Sequence, residues 1–198
     1  MKIIDKAFFE QDTVGVARSL LGKYLCRDTE KGLVSGMIVE TEAYLSKNDQ
    51  ACHASCGKTK RNASMFGPAG IAYVYFIYGN YYCFNVVTGV EGQGEAVLVR
   101  AVEPVSGLEI MAGHRGGSCR KVELANGPGK LCQAFAIDKD LDGHSLCRPP
   151  LYLAENKSAG FNGPIKATPR IGISSAQKKM LRFIIPGNHY LSRREPLD

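Results

Sequence analysis

The segment from Ile71 to Val87 constrains the fold most, because it consists of two strand-like runs around one tight turn. Gly79-Asn80 separates the runs, and this dipeptide suits a two-residue β-turn. Side chains alternate along a strand, so Tyr73 and Tyr75 share one face. Tyr78 stands beside the turn and is predicted near the hairpin tip. The chain is therefore expected to contain an antiparallel hairpin with an aromatic face.

The rest of the chain predicts short helices and a series of strands. Asp12 can cap a first helix whose apolar residues recur at helical spacing, and Gly22 is a suitable stop. The predicted helices are Asp12–Leu21, Pro104–Ala112 and Leu131–Ala136, and the predicted strands are Lys23–Arg27, Leu33–Glu42, Val97–Val102, Arg170–Ile173 and Leu181–Ile185. Long strands with few helices favour one α+β domain over residues 1–198, with an antiparallel or mixed sheet.

The charge balance is basic, because 25 Lys and Arg against 19 Asp and Glu give a formal net charge of +6 in 198 residues. Such an excess suits a polyanionic partner, although many basic enzymes never bind nucleic acid. Seven cysteines, an odd number, without an apolar leader at the N-terminus favour reduced thiols in a cytoplasmic protein. No run of about 18 apolar residues occurs, so no membrane span is expected.

Glu42 is the first candidate catalytic residue. Hydrolysis of an N-glycosidic bond needs a base that deprotonates water, and nearby negative charge stabilises the developing oxocarbenium ion. A carboxylate supplies both, and Glu42 is predicted at or just past the end of a strand. Glu40 competes for the role, because alternation along a strand places both glutamates on the same side. Periodicity alone therefore does not choose between them, and a solvated strand-end glutamate is the other interpretation.

Tyr44, Tyr75 and Tyr78 form a candidate aromatic site. Flipped bases are held by stacking on aromatic rings, but tyrosines are also good strand formers on a half-buried sheet. His53 can donate a hydrogen bond to a base edge or to the 5′ side of an extruded nucleotide, or simply bond within its loop. The surrounding segment Cys52–Cys56 lacks a second cysteine pair at zinc-site spacing, so no metal is expected.

Basic residues supply the remaining candidates. Arg100 ends a strand of apolar residues, Ala96–Val99, and a strand-end arginine can pair with Glu42, contact phosphate or be an ordinary surface arginine. The run Lys58–Asn62 can follow DNA phosphates, although such runs are more often simply solvated. Asn126–Lys130 can bind an anion through backbone N–H groups. It lacks the spacing of a phosphate-binding P-loop, and no dinucleotide fold is indicated, so no cofactor is expected.

Five short strings stand in a fixed order along the chain. They are Ile38-Val39-Glu40-Thr41-Glu42-Ala43-Tyr44, Arg61-Asn62 with Met65-Phe66, Tyr73-Val74-Tyr75-Phe76-Ile77-Tyr78-Gly79, Leu98-Val99-Arg100-Ala101-Val102-Glu103-Pro104 and Asn126-Gly127-Pro128-Gly129-Lys130-Leu131. Each string alone is weak, but together they resemble the alkyladenine (3-methyladenine) DNA glycosylase family. The resemblance extends from about Phe8 to about Ser192.

The resemblance implies an activity and a fold. The activity is that of a monofunctional DNA glycosylase, which excises alkylated and deaminated purines such as 3-methyladenine, 7-methylguanine, hypoxanthine and ethenoadenine from double-stranded DNA. The fold is one compact α+β domain with a curved sheet, flanking helices and a β-hairpin that protrudes into the DNA minor groove, similar to the C-terminal domain of formyltransferases. A monomer that uses neither a cofactor nor a metal is expected.

The resemblance also implies roles for individual residues. Glu42 would be the general base on water, and Arg100 would help to hold that water and Glu42. Asn85 would disfavour normal guanine by crowding its 2-amino group. The residues implied to line the base pocket are Tyr44, His53, Tyr75, Asn85 and Leu98, with the two tyrosines sandwiching the base.

Two residues at the hairpin tip are implied to contact DNA. Tyr78 would be the wedge that replaces the flipped nucleotide in the base stack. Asn80 stands where a better-known relative has methionine, so contacts to the flanking bases are expected to differ.

Two other functions remain open at the level of the sequence. The same tyrosines and positive charge would serve a non-catalytic module that recognises distorted DNA. A small hydrolase acting on free nucleosides would also need a carboxylate and an aromatic site, but it would have little use for a wedge at Tyr78.

Overall fold

The computed structural model describes residues 1–77, 79–117, 119–155 and 161–193. The strands are β1 (Lys2–Ile3), β2 (Tyr24–Thr29), β3 (Gly32–Tyr44), β4 (Ala72–Ile77), β5 (Tyr81–Thr88), β6 (Glu95–Ser106), β7 (Leu151–Glu155), β8 (Lys166–Thr168) and β9 (Arg182–Ile184). The α-helices are α1 (Lys6–Phe9), α2 (Thr13–Ser19), α3 (Leu108–His114) and α4 (Pro128–Ala134). Short 3₁₀ helices occupy His53–Cys56, Ala63–Phe66, Lys121–Glu123 and Lys139–Leu141.

The strands form one antiparallel sheet in the described part of the chain. Its order is β1, β7, β2, β3, β6, β5 and β4, and β9 pairs with both β3 and β8. Every pair in this sheet is antiparallel. The α+β class with an antiparallel sheet, as predicted from the sequence, is confirmed, and the described residues form one compact domain.

The two faces of the sheet differ because side chains alternate along each strand. One face packs under α2, α3 and α4 and forms the main hydrophobic core. Its strand residues are Ala43, Val74, Phe84, Val86, Val97 and Val99. The intervening positions on the same strands carry most of the polar and aromatic side chains that form the site described below.

The predicted first helix and the predicted hairpin are both confirmed. The side chain of Asp12 caps α2 by accepting a hydrogen bond from the N–H of Gly15 at 2.8 Å. Gly22 has φ = +79°, a left-handed conformation that glycine adopts without strain, and it turns the chain from α2 into β2. Strands β4 and β5 pair from Ala72↔Val86 to Ile77↔Tyr81, and the turn at Gly79-Asn80 is exposed.

Several predicted boundaries are wrong, and three of them have a clear physical reason. Strand β6 does not end at Val102 but continues through Pro104 to Ser106, where it still pairs with β3. The helix predicted from Pro104 therefore begins only at Leu108, after Gly107 with φ = +74° separates strand from helix. Helix α4 begins at Pro128 rather than Leu131, since proline is well suited to the first turn of a helix.

The segment Arg170–Ile173 is not a strand, although its composition predicts one. Its polar groups bond instead to side chains of the site, since Arg170 binds Asp49 and the N–H of Ile171 binds Glu42. Strand β9, at Arg182–Ile184, confirms the other strand predicted in this part of the chain. None of the helices in the described ranges has the length and apolar character needed to cross a bilayer.

Candidate active site

A cavity of about 680 Å³ opens on the face of the sheet opposite the main core. This volume lies within the range of about 300–1,000 Å³ that is typical of pockets for small ligands. Six residues singled out from the sequence line it together: Tyr44, His53, Tyr75, Asn85, Leu98 and Arg100. They come from four strands and one 3₁₀ helix, so the fold gathers residues that are up to 56 positions apart, from Tyr44 to Arg100.

A row of paired residues crosses the sheet beneath this cavity. Glu42 on β3 pairs with Leu98 on β6, Leu98 pairs with Asn85 on β5, and Asn85 pairs with Tyr73 on β4. Directly opposed residues point to the same face of an antiparallel sheet. The acid and the predicted pocket wall are therefore neighbours because of strand register alone.

A second row lies two residues away on three of these strands and so faces the same way. It consists of Arg100 on β6, Cys83 on β5 and Tyr75 on β4, and all three line the cavity. Tyr44 also lines it but lies on the other side of the first row, where it pairs with Ala96. Cys83 pairs directly with Tyr75. The spacing of two residues in each strand thus produces a continuous polar and aromatic surface.

Glu42 is fully buried and lies within β3, two residues before its end, rather than at or past the strand terminus as predicted. Its Oε2 accepts hydrogen bonds from the Tyr44 hydroxyl at 2.8 Å and from Arg100 Nη1 at 3.3 Å. Its Oε1 accepts one from the N–H of Ile171 at 2.8 Å. A carboxylate offers about four acceptor positions, so one position on Oε1 is not used by the described residues.

Glu40 has a different set of partners. Its Oε1 accepts hydrogen bonds from Arg100 Nε at 3.0 Å, Arg182 Nε at 2.7 Å and the Ser192 hydroxyl at 2.8 Å. Its Oε2 accepts one from the N–H of Ser192 at 2.6 Å. The geometry thus separates two glutamates that periodicity could not: Glu40 accepts four bonds and is held by two arginines, whereas Glu42 accepts three, all from residues that line the cavity.

Arg100 bridges the two glutamates from the middle of β6, not from a strand end as predicted. The register between β3 and β6 shifts here, since Glu40 pairs with Ala101 and Thr41 with Val99, so Arg100 is passed over. Such bulges re-aim side chains and are frequent beside active sites. Burial alone would lower the pKa of Arg100, but the carboxylates of Glu42 and Glu40 raise it above its ordinary value. The guanidinium therefore stays charged.

Aromatic rings form the slot above these charges. The imidazole of His53 packs edge-on against Tyr75 with ring centroids 4.6 Å apart, and Tyr75 lies 5.3 Å from Tyr73. Burial raises the pKa of Tyr44, Tyr73 and Tyr75, and the charge of Glu42 adds to this for Tyr44. Their hydroxyls therefore remain protonated and can donate hydrogen bonds.

His53 is fixed within the slot by Tyr73. Its Nδ1 lies 2.9 Å from the Tyr73 hydroxyl, and the hydroxyl belongs to a buried side chain. Burial lowers the pKa of His53, and the charge of Arg61 lowers it further, so the imidazole is neutral near pH 7. A neutral imidazole can either donate or accept a hydrogen bond through its other nitrogen.

The comparisons with known proteins agree with this geometry. The family model described as methylpurine-DNA glycosylase matches residues 7–189. The chain belongs to the methylpurine-DNA glycosylase family. As a member of this family it is a hydrolase that acts on N-glycosyl bonds, and its substrate is DNA.

Three relatives illustrate the similarity, and each carries the provisional name 3-methyladenine DNA glycosylase. A protein of Carboxydothermus hydrogenoformans is 48 % identical over 192 residues, which cover 97 % of this chain and 100 % of the relative. One of Methanoculleus marisnigri is 52 % identical over 190 residues, covering 95 % of this chain and 97 % of the relative. One of Legionella pneumophila is 44 % identical over 197 residues, covering 98 % and 100 %.

The sequence did not identify several residues that complete the site of this glycosylase. They are Asp49, Tyr73, Arg170, Ile171 and Ser192. Tyr73 carried a signal, since it lies two residues before Tyr75 on the same strand face. The other four lie outside the helices and strands of the structure. Arg170 and Ile171 belong to the segment predicted as a strand, but that pattern carried no signal for their contacts with the site.

The residues predicted to contact DNA lie elsewhere. Tyr78 falls outside the described residues, so its predicted position beside the turn stays a prediction. Asn80 is exposed at the end of the hairpin and is not among the residues that line the cavity. Its neighbours Ile77 and Tyr81 do line it, so the hairpin end adjoins the mouth of the pocket.

The cysteines near His53 take part in ordinary local contacts. Cys52 is buried beside the carbonyl of Gly94, and Cys56 bonds to the carbonyl of His53. No group of three or more His, Cys, Asp or Glu side chains suited to a metal ion occurs within the described ranges.

Proposed function

We propose that this chain excises alkylated or deaminated purines from double-stranded DNA, and that Glu42 activates the water that attacks the sugar. The observation that carries the proposal is the unused acceptor position on Glu42 Oε1, in a carboxylate whose three partners, Tyr44, Arg100 and Ile171, line a cavity with aromatic walls. A water hydrogen-bonded there would lie beside a carboxylate that Arg100 and Tyr44 already orient. The candidate substrates are 3-methyladenine, 7-methylguanine, hypoxanthine and ethenoadenine.

The reaction would proceed by hydrolysis at the anomeric carbon. The bond between C1′ and the purine nitrogen breaks, and the purine leaves with the bonding electrons. The water oxygen bonds to C1′, and its proton passes to Glu42. The buried carboxylate also stabilises the oxocarbenium ion that develops on the sugar, because attraction between charges is stronger away from bulk water.

Arg100 would help to orient both Glu42 and the water. Its Nε is occupied by Glu40 and its Nη1 by Glu42, so the guanidinium cannot rotate freely. Because it stays charged, it keeps Glu42 fixed in the position from which it acts. Glu40 would thus serve the reaction by anchoring Arg100 rather than by touching the water.

The aromatic slot would hold the extruded base. Tyr44, Tyr75 and His53 offer flat surfaces, and stacking contributes about 1–3 kcal/mol per base in nucleic-acid complexes. Asn85 donates a hydrogen bond to the carbonyl of Tyr73 at 3.0 Å, which fixes its amide in the wall. We infer that this amide crowds the 2-amino group of normal guanine, and that Leu98 forms the neighbouring wall.

Extrusion of the base would depend on the hairpin. Tyr78 is the proposed wedge that fills the gap in the base stack, approaching from the minor groove, and Asn80 would contact the flanking bases. Unstacking a nucleotide costs a few kcal/mol, and the cost is smallest at damaged or mispaired positions. The basic net charge would add affinity for the phosphates. We propose that the chain works as a monomer without a metal or other cofactor.

The decisive experiment measures base release from a duplex oligonucleotide with a single hypoxanthine, with alkali used to cut the abasic sites. Glu42→Gln should lower the single-turnover rate by about 10²–10⁴-fold, the range expected for loss of a general base. Glu103→Gln is the matched control, because Glu103 lies on β6 and bonds to Asn188 outside the cavity. It should retain the rate of the wild type.

Two results would contradict the proposal. If Glu42→Gln released hypoxanthine as fast as the wild type, Glu42 would not be the general base. If the wild type bound lesion-containing duplex but released none of the candidate bases, 3-methyladenine included, the chain would be a damage-binding protein rather than an excising enzyme.

A further inference from the structure

Asp49 and Arg170 form a fully buried ion pair behind the wall of the cavity. Arg170 donates two hydrogen bonds to the carboxylate of Asp49, at 2.5 and 2.7 Å, and both side chains have zero exposure. Asp49 also accepts a hydrogen bond from the N–H of Leu45 at 3.1 Å, which closes the turn that follows β3. The pair therefore joins the end of β3 to a loop 121 residues away.

The guanidinium of Arg170 covers one side of the Tyr44 ring. Its central carbon lies 4.6 Å from the ring centroid, and Nη1 donates a further bond to the carbonyl of Ala43 at 2.9 Å. One face of Tyr44 is thus occupied by protein, and only the other face is free to stack on a base. Contacts of this kind add about 1–2 kcal/mol when they are shielded from water.

Ile171, the residue after Arg170, hydrogen-bonds directly to Glu42, the proposed general base. The N–H of Ile171 donates to Glu42 Oε1 at 2.8 Å, while the Tyr44 hydroxyl donates to Oε2 at 2.8 Å. A displacement of Arg170 would therefore move both donors to Glu42, the N–H of Ile171 and the hydroxyl of Tyr44. The stacking surface and the carboxylate are consequently held by one attachment point.

We propose that the Asp49–Arg170 pair is a positioning device that sets Tyr44 and Glu42 together, and that it matters more for neutral purines than for cationic ones. The second part rests on the proposed function. A cationic base such as 7-methylguanine is already a good leaving group, whereas hypoxanthine is neutral and relies more on an accurately placed nucleophile. A small displacement of Glu42 or of the stacking ring therefore slows hypoxanthine release selectively.

The pair stays ionised over the range in which such an enzyme would be assayed. Burial alone would raise the pKa of Asp49, but the hydrogen bonds from Arg170 hold it below its ordinary value. Burial alone would lower the pKa of Arg170, and Asp49 raises it above its ordinary value. The attachment is thus not a switch but a constant part of the site.

The test compares single-turnover rates on two duplexes, one with hypoxanthine and one with 7-methylguanine. In Arg170→Lys the charge remains, but an ammonium group cannot bond Asp49 twice and cover the ring. In Asp49→Asn the ion pair is lost. We expect both variants to slow hypoxanthine release by about 10–100-fold, the loss typical of a misplacement of about 1 Å. The fold loss for 7-methylguanine release should be smaller than that for hypoxanthine by a factor of at least about five.

Asp142→Asn is the control for a general loss of stability. Asp142 is also tied to its surroundings by several hydrogen bonds, to Ser64, Lys139 and the N–H of Val74, but it does not line the cavity. A purely structural defect lowers the amount of active enzyme and leaves the ratio of the two rates unchanged. Circular dichroism and thermal melting establish that each variant is folded at the assay temperature, and Arg170→Lys remains informative if Asp49→Asn does not fold.

The outcomes separate this inference from the proposed function. Equal losses on both lesions, or wild-type rates in Arg170→Lys, would overturn the positioning role while leaving the glycosylase assignment intact. Failure of the wild type to release either base would instead remove the proposed function itself. A change in the ratio of the two rates in the variants but not in Asp142→Asn would support the inference.

Discussion

The cavity has two kinds of wall, and they are built in different ways. The strand wall comes from the sheet: Tyr44, Tyr75, Asn85, Leu98 and Arg100 line the cavity, and Glu42 is buried behind them. The loop wall comes from irregular segments: Ile171 and Ser192 line the cavity, and Asp49 and Arg170 are buried behind them. In the strand wall, position follows from register. In the loop wall, position follows from hydrogen bonds between residues more than 100 positions apart, such as Ser192 to Glu40.

The difference shows how the two walls divide the work. The strand wall supplies the side chains to which we assign chemistry and stacking. The loop wall supplies donors and counter-charges that hold those side chains, as Arg170 does for Tyr44 and Ser192 does for Arg100. We infer that substitutions in the strand wall act mainly on the reaction, and those in the loop wall act on how accurately the site is assembled.

The largest expected effect concerns Glu40, where the two walls meet. Its carboxylate joins Arg100 and Arg182 from strands to Ser192 from the loop wall, and it is fully buried. Breaking a buried ion pair by removing one partner leaves a charge uncompensated, so Glu40→Ala should lower the free energy of unfolding by about 3–5 kcal/mol. Urea denaturation followed by circular dichroism measures this.

Glu123→Ala is the control for that measurement. Glu123 pairs with Arg120 at 2.7 Å, but the pair lies at the surface, where solvent screens it. Its removal should leave the unfolding midpoint unchanged. A midpoint for Glu40→Ala equal to that of Glu123→Ala would mean that the two walls are not joined through Glu40.

The next effect concerns Tyr44 and tests whether the strand wall acts on the reaction. Tyr44→Phe keeps the ring on Arg170 but removes the hydroxyl that donates to Glu42. A hydrogen bond to a charged group contributes about 1.5–3 kcal/mol, so hypoxanthine release should slow by at least about tenfold. Single-turnover kinetics measure this at a temperature below the melting temperature of the variant.

Tyr75→Phe is the matched control, because Tyr75 also lines the cavity but has no hydrogen bond to Glu42. Tyr75→Phe should lower the rate of hypoxanthine release clearly less than Tyr44→Phe does. In a Glu42→Gln background, Tyr44→Phe should add almost nothing, since the two groups act as one unit. Fully additive losses would show that the Tyr44 hydroxyl acts independently of Glu42.

The strand wall and the loop wall also differ in how far their residues can be predicted from the sequence. Alternation along β4 places Tyr73 and Tyr75 on one face, and the pocket residues of the neighbouring strands follow from the same spacing of two. Family resemblance adds their proposed roles. Alternation does not predict the bulge that passes over Arg100, because the extra residue follows from the pairing of β3 with β6. The strand-end position predicted for Arg100 followed from the apolar run Ala96–Val99, and the structure instead places Arg100 within β6.

The loop wall was not predictable for a physical reason. Asp49 and Arg170 are 121 residues apart, and neither lies in a helix or strand of the structure. An apolar pattern around Ile171 predicts a strand, yet the structure uses its N–H on a carboxylate. Long-range pairing of single polar groups leaves no periodic trace in a sequence, so only the folded chain reveals it.

A smaller effect is expected at Ser192, in the loop wall. Its hydroxyl donates to Glu40 at 2.8 Å and lies 3.3 Å from Arg100 Nη2, while its N–H bonds Glu40 separately. Ser192→Ala removes only the hydroxyl, so hypoxanthine release should fall by a few-fold, corresponding to about 1 kcal/mol for one hydrogen bond. Ser174→Ala, also in the cavity lining, should have no effect. Equal rates of hypoxanthine release for the two variants would mean that the Ser192 hydroxyl does not help to assemble the site.

The smallest effect tests whether the loop that carries His53 is as firmly packed as the strands. Cys52 and Cys56 lie four residues apart, but Cys52 is buried and Cys56 is exposed. Burial raises the pKa of Cys52 to about 11, so only about one thiol in a thousand is a thiolate at pH 8. Iodoacetamide should therefore label Cys56 first, and labelling of Cys52 should rise about tenfold per pH unit towards pH 11. Mass spectrometry of peptides measures both rates, and labelling of Cys56 alone should leave hypoxanthine release unchanged. Equal rates of labelling of Cys52 and Cys56 at pH 8 would mean that this loop opens readily. The shape of the aromatic slot would then be set by the strands alone.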